Sequence, residues 1–186
     1  MPSNDNSRPP PSRYSAAAKL MHWFVAAAVI TLLPLGPIMK RFTPEGPTRD
    51  RLYDFHEALG AVVLIVMVLR LARRLGFGVP PPEGSLPAWD RRASLATQYI
   101  LYPLLFIVPV LGWAGTNAYG DPVNVFGLFT FPAILGKDEA LSDKIFVYHL
   151  AGGIAIAAVV AAHVSGALYH LILKRDGVFA RMWPGR

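Results

Sequence analysis

Uncharged residues come in long runs in this chain, and that constrains its fold more than any other feature. Residues 20–39, 93–120 and 145–173 contain no Asp, Glu, Lys or Arg. A shorter run, 58–69, reaches spanning length when Phe55, His56 and Glu57 sit at one interface and Arg70 snorkels at the other. A helix needs about 20 residues to cross roughly 30 Å of hydrocarbon. Backbone groups in lipid must be satisfied within a helix or a closed barrel, and barrel-like alternation is absent, so helices are predicted. The expected spans cover about 19–39, 55–74, 94–118 and 145–173. Charged residues make up only 16% of the 186, against roughly 25% in soluble domains. Disorder is excluded on that balance, and an ordinary soluble domain is disfavoured.

The first run begins after Arg13 and Lys19, as a secretory signal would. It is longer than a signal's apolar stretch, opens on His22 and Trp23, and has no convincing small-residue cleavage site, so an uncleaved helix is predicted. The N-terminal segment, the link between the second and third spans, and the C-terminal tail fall on one side with twelve Lys and Arg, against six on the other. The positive-inside rule then puts both termini in the cytoplasm. The basic residues form no nucleic-acid stripe, so no nucleic-acid partner is expected. Residues 1–13 read as a mobile segment ahead of one domain, 14–186. The link 79–87, with Pro80, Pro81 and Pro82 in a row, reads as stiff. The stretch 120–142 is apolar but broken by Pro122, Gly127 and Pro132, and should fold over the outer mouth of the bundle. With no Cys, the chain has no disulfide, no Cys-ligated iron–sulfur cluster and no covalent c-type haem.

Chemistry enters with five histidines: His22, His56, His149, His163 and His170. Ionisable groups inside lipid are costly and usually face the bundle interior. His149 and His163 are fourteen residues apart, which places them about 40° apart around one helix and about 21 Å apart along it. His22 opens the first span at the inner edge, and His56 opens the second at the outer edge. By depth they form two pairs, His22 with His163 and His56 with His149. Two imidazoles at one depth on facing helices can fill the two axial positions of one haem iron. Zinc, which needs three or four converging ligands, does not suit histidines so far apart.

Small residues lie one turn from each: Ala26, Gly60, Gly152, Gly153 and Gly166. Such residues let helices pack closely, and beside histidines they also leave room for a flat macrocycle. His170 is left over. Taken as a ligand in place of His163 it would lie about 31 Å from His149, nearly the full depth of the core. It is a candidate for a quinone carbonyl or a proton path, or else a surface histidine among headgroups.

The pattern resembles the bacterial cytochrome b561 family, four-helix di-haem membrane cytochromes. The likeness runs through Arg13-Tyr14-Ser15, His22-Trp23, His56, Gly60, Arg70, Pro109, Gly112, Phe126-Gly127, His149, Gly153, His163 and His170, nearly everything after residue 12. It implies an all-α integral membrane bundle holding two non-covalent b haems, with His22 and His163 on the inner iron and His56 and His149 on the outer. One departure is Thr97, Gln98 and Tyr99, where family members often carry histidines. The activity implied is that of a superoxide:ubiquinone oxidoreductase in the bacterial inner membrane. Superoxide would give electrons at the outer haem, and ubiquinone would receive them at the inner one. The alternative is a cytochrome b anchor subunit passing electrons between a partner dehydrogenase and quinone. A small transporter with a histidine proton relay is the third reading. Lys40, Arg41, Arg49 and Arg51 outnumber Glu45, Asp50 and Asp54 at the outer mouth, which would concentrate an anion or simply anchor the interface. Arg70 and Arg51 lie at depths where a haem propionate would reach them. Trp23, Trp89, Trp113 and Trp183 read as interface belt residues.

Overall fold

The computed structural model describes residues 13–81 and 86–184. The expected mobile segment therefore lies outside the described residues except for Arg13, and the Pro-rich link is described only at its ends. Helix α1 spans Ala16–Pro37 and runs on into a π-helical turn, Ile38–Phe42. Helix α2 spans Pro47–Phe77 and α3 Ala88–Tyr119. Helix α4 spans Glu139–Leu168 and also ends in a π-helical turn, Tyr169–Lys174. All four are long and apolar enough to cross a membrane.

Local chemistry sets the helix ends. The Ser15 hydroxyl accepts from the Ala18 N–H at 3.2 Å and caps α1. Pro47 starts α2, where its missing N–H costs nothing. Gly120, at φ +116°, turns the chain out of α3 in a left-handed conformation. The Asp138 carboxylate accepts from the Leu141 N–H at 3.0 Å and caps α4.

Each helix packs on the next in order, and α3 against α4 is the most extensive seam. Glycines make that seam. A Cβ on Gly115 would lie 2.9 Å from Phe146 Cε1, and one on Gly152 would collide with the Val108 side chain. By contrast, α4 makes little backbone contact with α1 or α2. A central layer bridges part of that space: Val25, Ala28 and Val29 of α1, Val63 and Met67 of α2, Leu105 and Val108 of α3, and Ile156 of α4 are all buried. Val29, Val63 and Ile156 each stand seven residues from a histidine, so they lie on the same helix face about 10 Å along. This apolar layer separates the bundle into two levels.

The segment after α3 does fold over one end, as a two-stranded hairpin. Asn124–Val125 (β1) pairs antiparallel with Phe129–Thr130 (β2). Val123 and Val125 are buried against Ala61 of α2, and Phe126 packs edge-on to Phe55 at 5.9 Å. Asn117 ties the loop down, donating to the Asp121 carbonyl and accepting from the Ile134 N–H. At the opposite end the chain doubles back beneath the bundle through a 3-10 turn, Phe179–Arg181. Lys19 Nζ donates to the Trp183 carbonyl at 3.0 Å, and Trp23 Nε1 donates to the Met182 carbonyl at 2.8 Å. Two of the expected belt tryptophans, Trp23 and Trp183, thus meet edge-on at 5.7 Å in a tail clasp. Trp89 is exposed, and Trp113 donates to the Pro132 carbonyl in the hairpin end.

Candidate functional site

The structure brings four histidines together in the two expected pairs. His22 of α1 faces His163 of α4 at the end carrying the chain termini, with ring centroids 6.3 Å apart and planes crossed at 69°. His56 of α2 faces His149 of α4 at the hairpin end, 6.0 Å apart and crossed at 71°. Both separations are too long for ring–ring hydrogen bonding. They match two metal–imidazole bonds of about 2 Å each plus the half-width of each ring, about 6 Å in all. Among the described residues no three His, Asp or Glu side chains converge on one point. Each pair is therefore shaped for a metal whose remaining ligands come from elsewhere, as an iron porphyrin supplies them.

The surroundings fit that group. A Cβ built on Gly60, Gly153 or Gly166 would meet nothing within 4 Å, so the backbone beside His56, His149 and His163 borders open space. Gly152 is different: it serves the α3–α4 seam, and only its neighbour Gly153 leaves room on the histidine side. His149 Nδ1 lies 2.9 Å from the Val108 carbonyl, which fixes the proton on Nδ1 and leaves Nε2 with a free lone pair. Gly112 permits this, because a Cβ there would stand 3.1 Å from His149 Cε1. His56 Nδ1 is buried with no hydrogen-bond partner among the described residues. A buried polar atom left so asks for something the protein itself does not supply.

Of the two arginines expected near a propionate, Arg70 lies within Coulombic reach of both His22 and His163. Its guanidinium also lies 5.9 Å from the Tyr102 ring centroid, with Arg74 5.4 Å from the same ring. Arg51 is exposed on α2, five residues before His56, and is not drawn into the bundle. In the basic group at this mouth, Arg49 pairs with Glu45 at 2.9 Å, while Lys40 and Arg41 are exposed.

His170 is neither paired with another histidine nor at the surface. It is 9% exposed and borders a half-open cleft of about 490 Å³ also lined by Leu171, Arg175, Phe179 and Trp183. Its Nδ1 bonds Asp176 Oδ2 at 2.6 Å. The sequence analysis did not single out Asp176, which follows Lys174 and Arg175 in the C-terminal tail. It also missed Glu57, whose carboxylate accepts from the Thr116 hydroxyl at 3.1 Å beside His56.

Burial works to raise the Asp176 carboxyl, but bonds from His170 and the Val178 N–H outweigh it and hold the group below the usual carboxylate range. A native value below the unfolded one gives stability that is complete above about pH 4 and is lost as pH falls through the native value. The hydrogen-exchange protection of the Val178 amide should therefore fall on acidification below about pH 4 and be full at pH 7.

A helical membrane bundle carrying facing imidazole pairs at two levels defines a b-type cytochrome. The chain belongs to the prokaryotic cytochrome b561 family, whose family model matches residues 13–185. It carries haem b and moves electrons within a membrane as a bacterial multi-pass protein. It is 28% identical over 175 residues to cytochrome b561 homolog 2 of Escherichia coli, covering 92% of each chain. It is 26% identical over 184 residues to cytochrome b562 of Cereibacter sphaeroides, covering 93% of this chain and 96% of that one. Over 173 residues it is 24% identical to the probable superoxide oxidase CybB of Yersinia pestis, covering 92% and 96%.

Proposed function

We propose that this chain holds two b haems and oxidises superoxide at one face of the bacterial inner membrane while reducing ubiquinone at the other. The observation that carries the reading is the pair of imidazole gaps, 6.0 Å and 6.3 Å, on one helix and at two depths. His56 and His149 would hold the haem at the hairpin end, taken as periplasmic. His22 and His163 would hold the one at the end with the termini, taken as cytoplasmic on the twelve-to-six distribution of basic residues. Haem held in this way would supply one-electron redox chemistry.

The rest is done by this chain's own residues. Val108 holds the His149 ring through Nδ1, so the lone pair of Nε2 stays aimed at one place. Arg70 offers a guanidinium to a propionate near the His22–His163 pair. Arg51 is the weaker counterpart, supported only by its position on α2. Lys40 and Arg41 raise the local concentration of an anion at the hairpin end. The likeness to a probable superoxide oxidase supports superoxide as that anion. His170 and the apolar walls of its cavity suit the head of ubiquinone, whose carbonyl accepts a hydrogen bond. In sum, two superoxide anions leave as two oxygens, and ubiquinone takes two electrons and two protons to become ubiquinol.

Stopped-flow mixing of the purified protein with superoxide tests this. Haem reduction should be fast, should slow several-fold between low and physiological salt, and should be followed by reoxidation on adding ubiquinone. Exchanging Lys40 and Arg41 for Glu should slow the first phase alone. No reduction by superoxide, with obligate co-purification of a dehydrogenase, would replace this reading with the anchor-subunit one.

A further inference from the structure

Asp176 has no part in holding haem, yet its geometry is closely determined. In a continuous helix residues six apart lie about 120° from the same face. Here the chain reverses at Arg175, whose φ is +52° and whose N–H returns to the His170 carbonyl at 2.8 Å, and this swings Asp176 back onto His170. Both carboxylate oxygens are engaged. Oδ2 faces His170 Nδ1 at 2.6 Å, and Oδ1 accepts from the Val178 N–H at 3.2 Å. The tail that carries Asp176 is fastened by Lys19 and Trp23, and by Arg181, which donates to the Pro81 carbonyl. The dyad thus sits on a fixed mount at the rim of the cavity.

We propose that Asp176 is a positioning residue for proton delivery to the quinone: its carboxylate accepts the His170 Nδ1–H and leaves Nε2 as the nitrogen that serves the quinone carbonyl. This rests on the reading of the His170 cavity as the quinone site. Reduction of one quinone consumes two electrons, released as two superoxide anions become oxygen, and two protons. For each proton, the Nε2–H bond of the imidazolium breaks as an O–H bond forms on a quinone oxygen, and a proton from water restores the imidazolium. The ring keeps its Nδ1–H on Asp176 throughout, so the carboxylate carries no net proton and fixes only the tautomer and ring orientation.

The test uses the full chain in detergent or nanodiscs with ubiquinone-1. Asp176→Asn should cut turnover about tenfold or more while leaving KM for ubiquinone-1 and the haem content unchanged, and Asp176→Glu should recover part of the loss. In ring-labelled protein, the nitrogen spectrum should show His170 protonated at Nδ1 in the wild type and altered in Asp176→Asn. Wild-type turnover in Asp176→Asn, or an unprotonated Nδ1 in the wild type, would overturn the role of Asp176 even if His170→Ala abolishes turnover and so upholds the quinone site. Full turnover in His170→Ala would overturn both. If Asp176→Asn fails to fold, the wild-type nitrogen spectrum decides alone.

Discussion

His149→Ala should leave the purified chain with one haem instead of two, and the haem that remains should be the one at the end carrying the termini. The expectation follows from the pairing: among the described residues His56 is the one histidine that His149 faces, across a 6.0 Å gap, and the apolar layer through Val63 and Ile156 lies between that level and the other. An iron held by one protein imidazole in place of two loses half of its protein ligation and its coordinative closure. Loss also removes the stability that bound haem contributes to the folded chain by mass action, so thermal unfolding should move to lower temperature. His56→Ala should behave alike. His22→Ala and His163→Ala should remove the other haem and spare this one. Haem extraction with protein quantification reads the stoichiometry. Loss of both haems from any single variant, with the helices intact, would show that the two levels are not independent.

The second large effect is expected from Gly152→Leu. The α3–α4 seam has no space there, because even a Cβ would collide with Val108. Val108 is stiff at its branched Cβ, and the backbone carbonyl of the same residue holds His149. Overpacking a tight contact costs about 1–3 kcal/mol, and a leucine, which adds four carbons where not even a Cβ fits, should reach or exceed that. The helices should separate locally, the Val108–His149 bond should break, and haem at the hairpin end should be lost or bound weakly. Gly153→Ala, one residue away, borders open space and should leave folding intact while crowding the haem face. Comparing the two variants by denaturation and haem content separates seam from cofactor pocket.

The helices and the two histidine pairs were legible in the sequence for one reason each. Lipid forbids unsatisfied backbone, so uncharged runs of sufficient length become helices whatever their detailed composition. Helical periodicity then fixes depth and face, and fourteen residues between His149 and His163 are enough to place them at two levels. What sequence could not give is the role of residues that act through a neighbour's backbone or through a chain reversal. The Val108 carbonyl is invisible in a side-chain pattern. Gly152 and Gly153 look equivalent beside His149, and only the packing of α3 tells one from the other. Asp176 reads as tail until the left-handed turn at Arg175 brings it onto His170. The hairpin was foreseen as a cover but not as strands, since two-residue strands leave no periodicity to read.

Low-temperature electron paramagnetic resonance of the purified, oxidised chain, with haem quantified in the same sample, is the most direct measurement. Two low-spin b haems per chain, each with the strongly anisotropic signal of crossed axial imidazoles, are expected from ring planes at 69° and 71°. A chain carrying a single haem, or iron in the high-spin state of an open coordination position, would contradict the placing of one iron between each pair of rings.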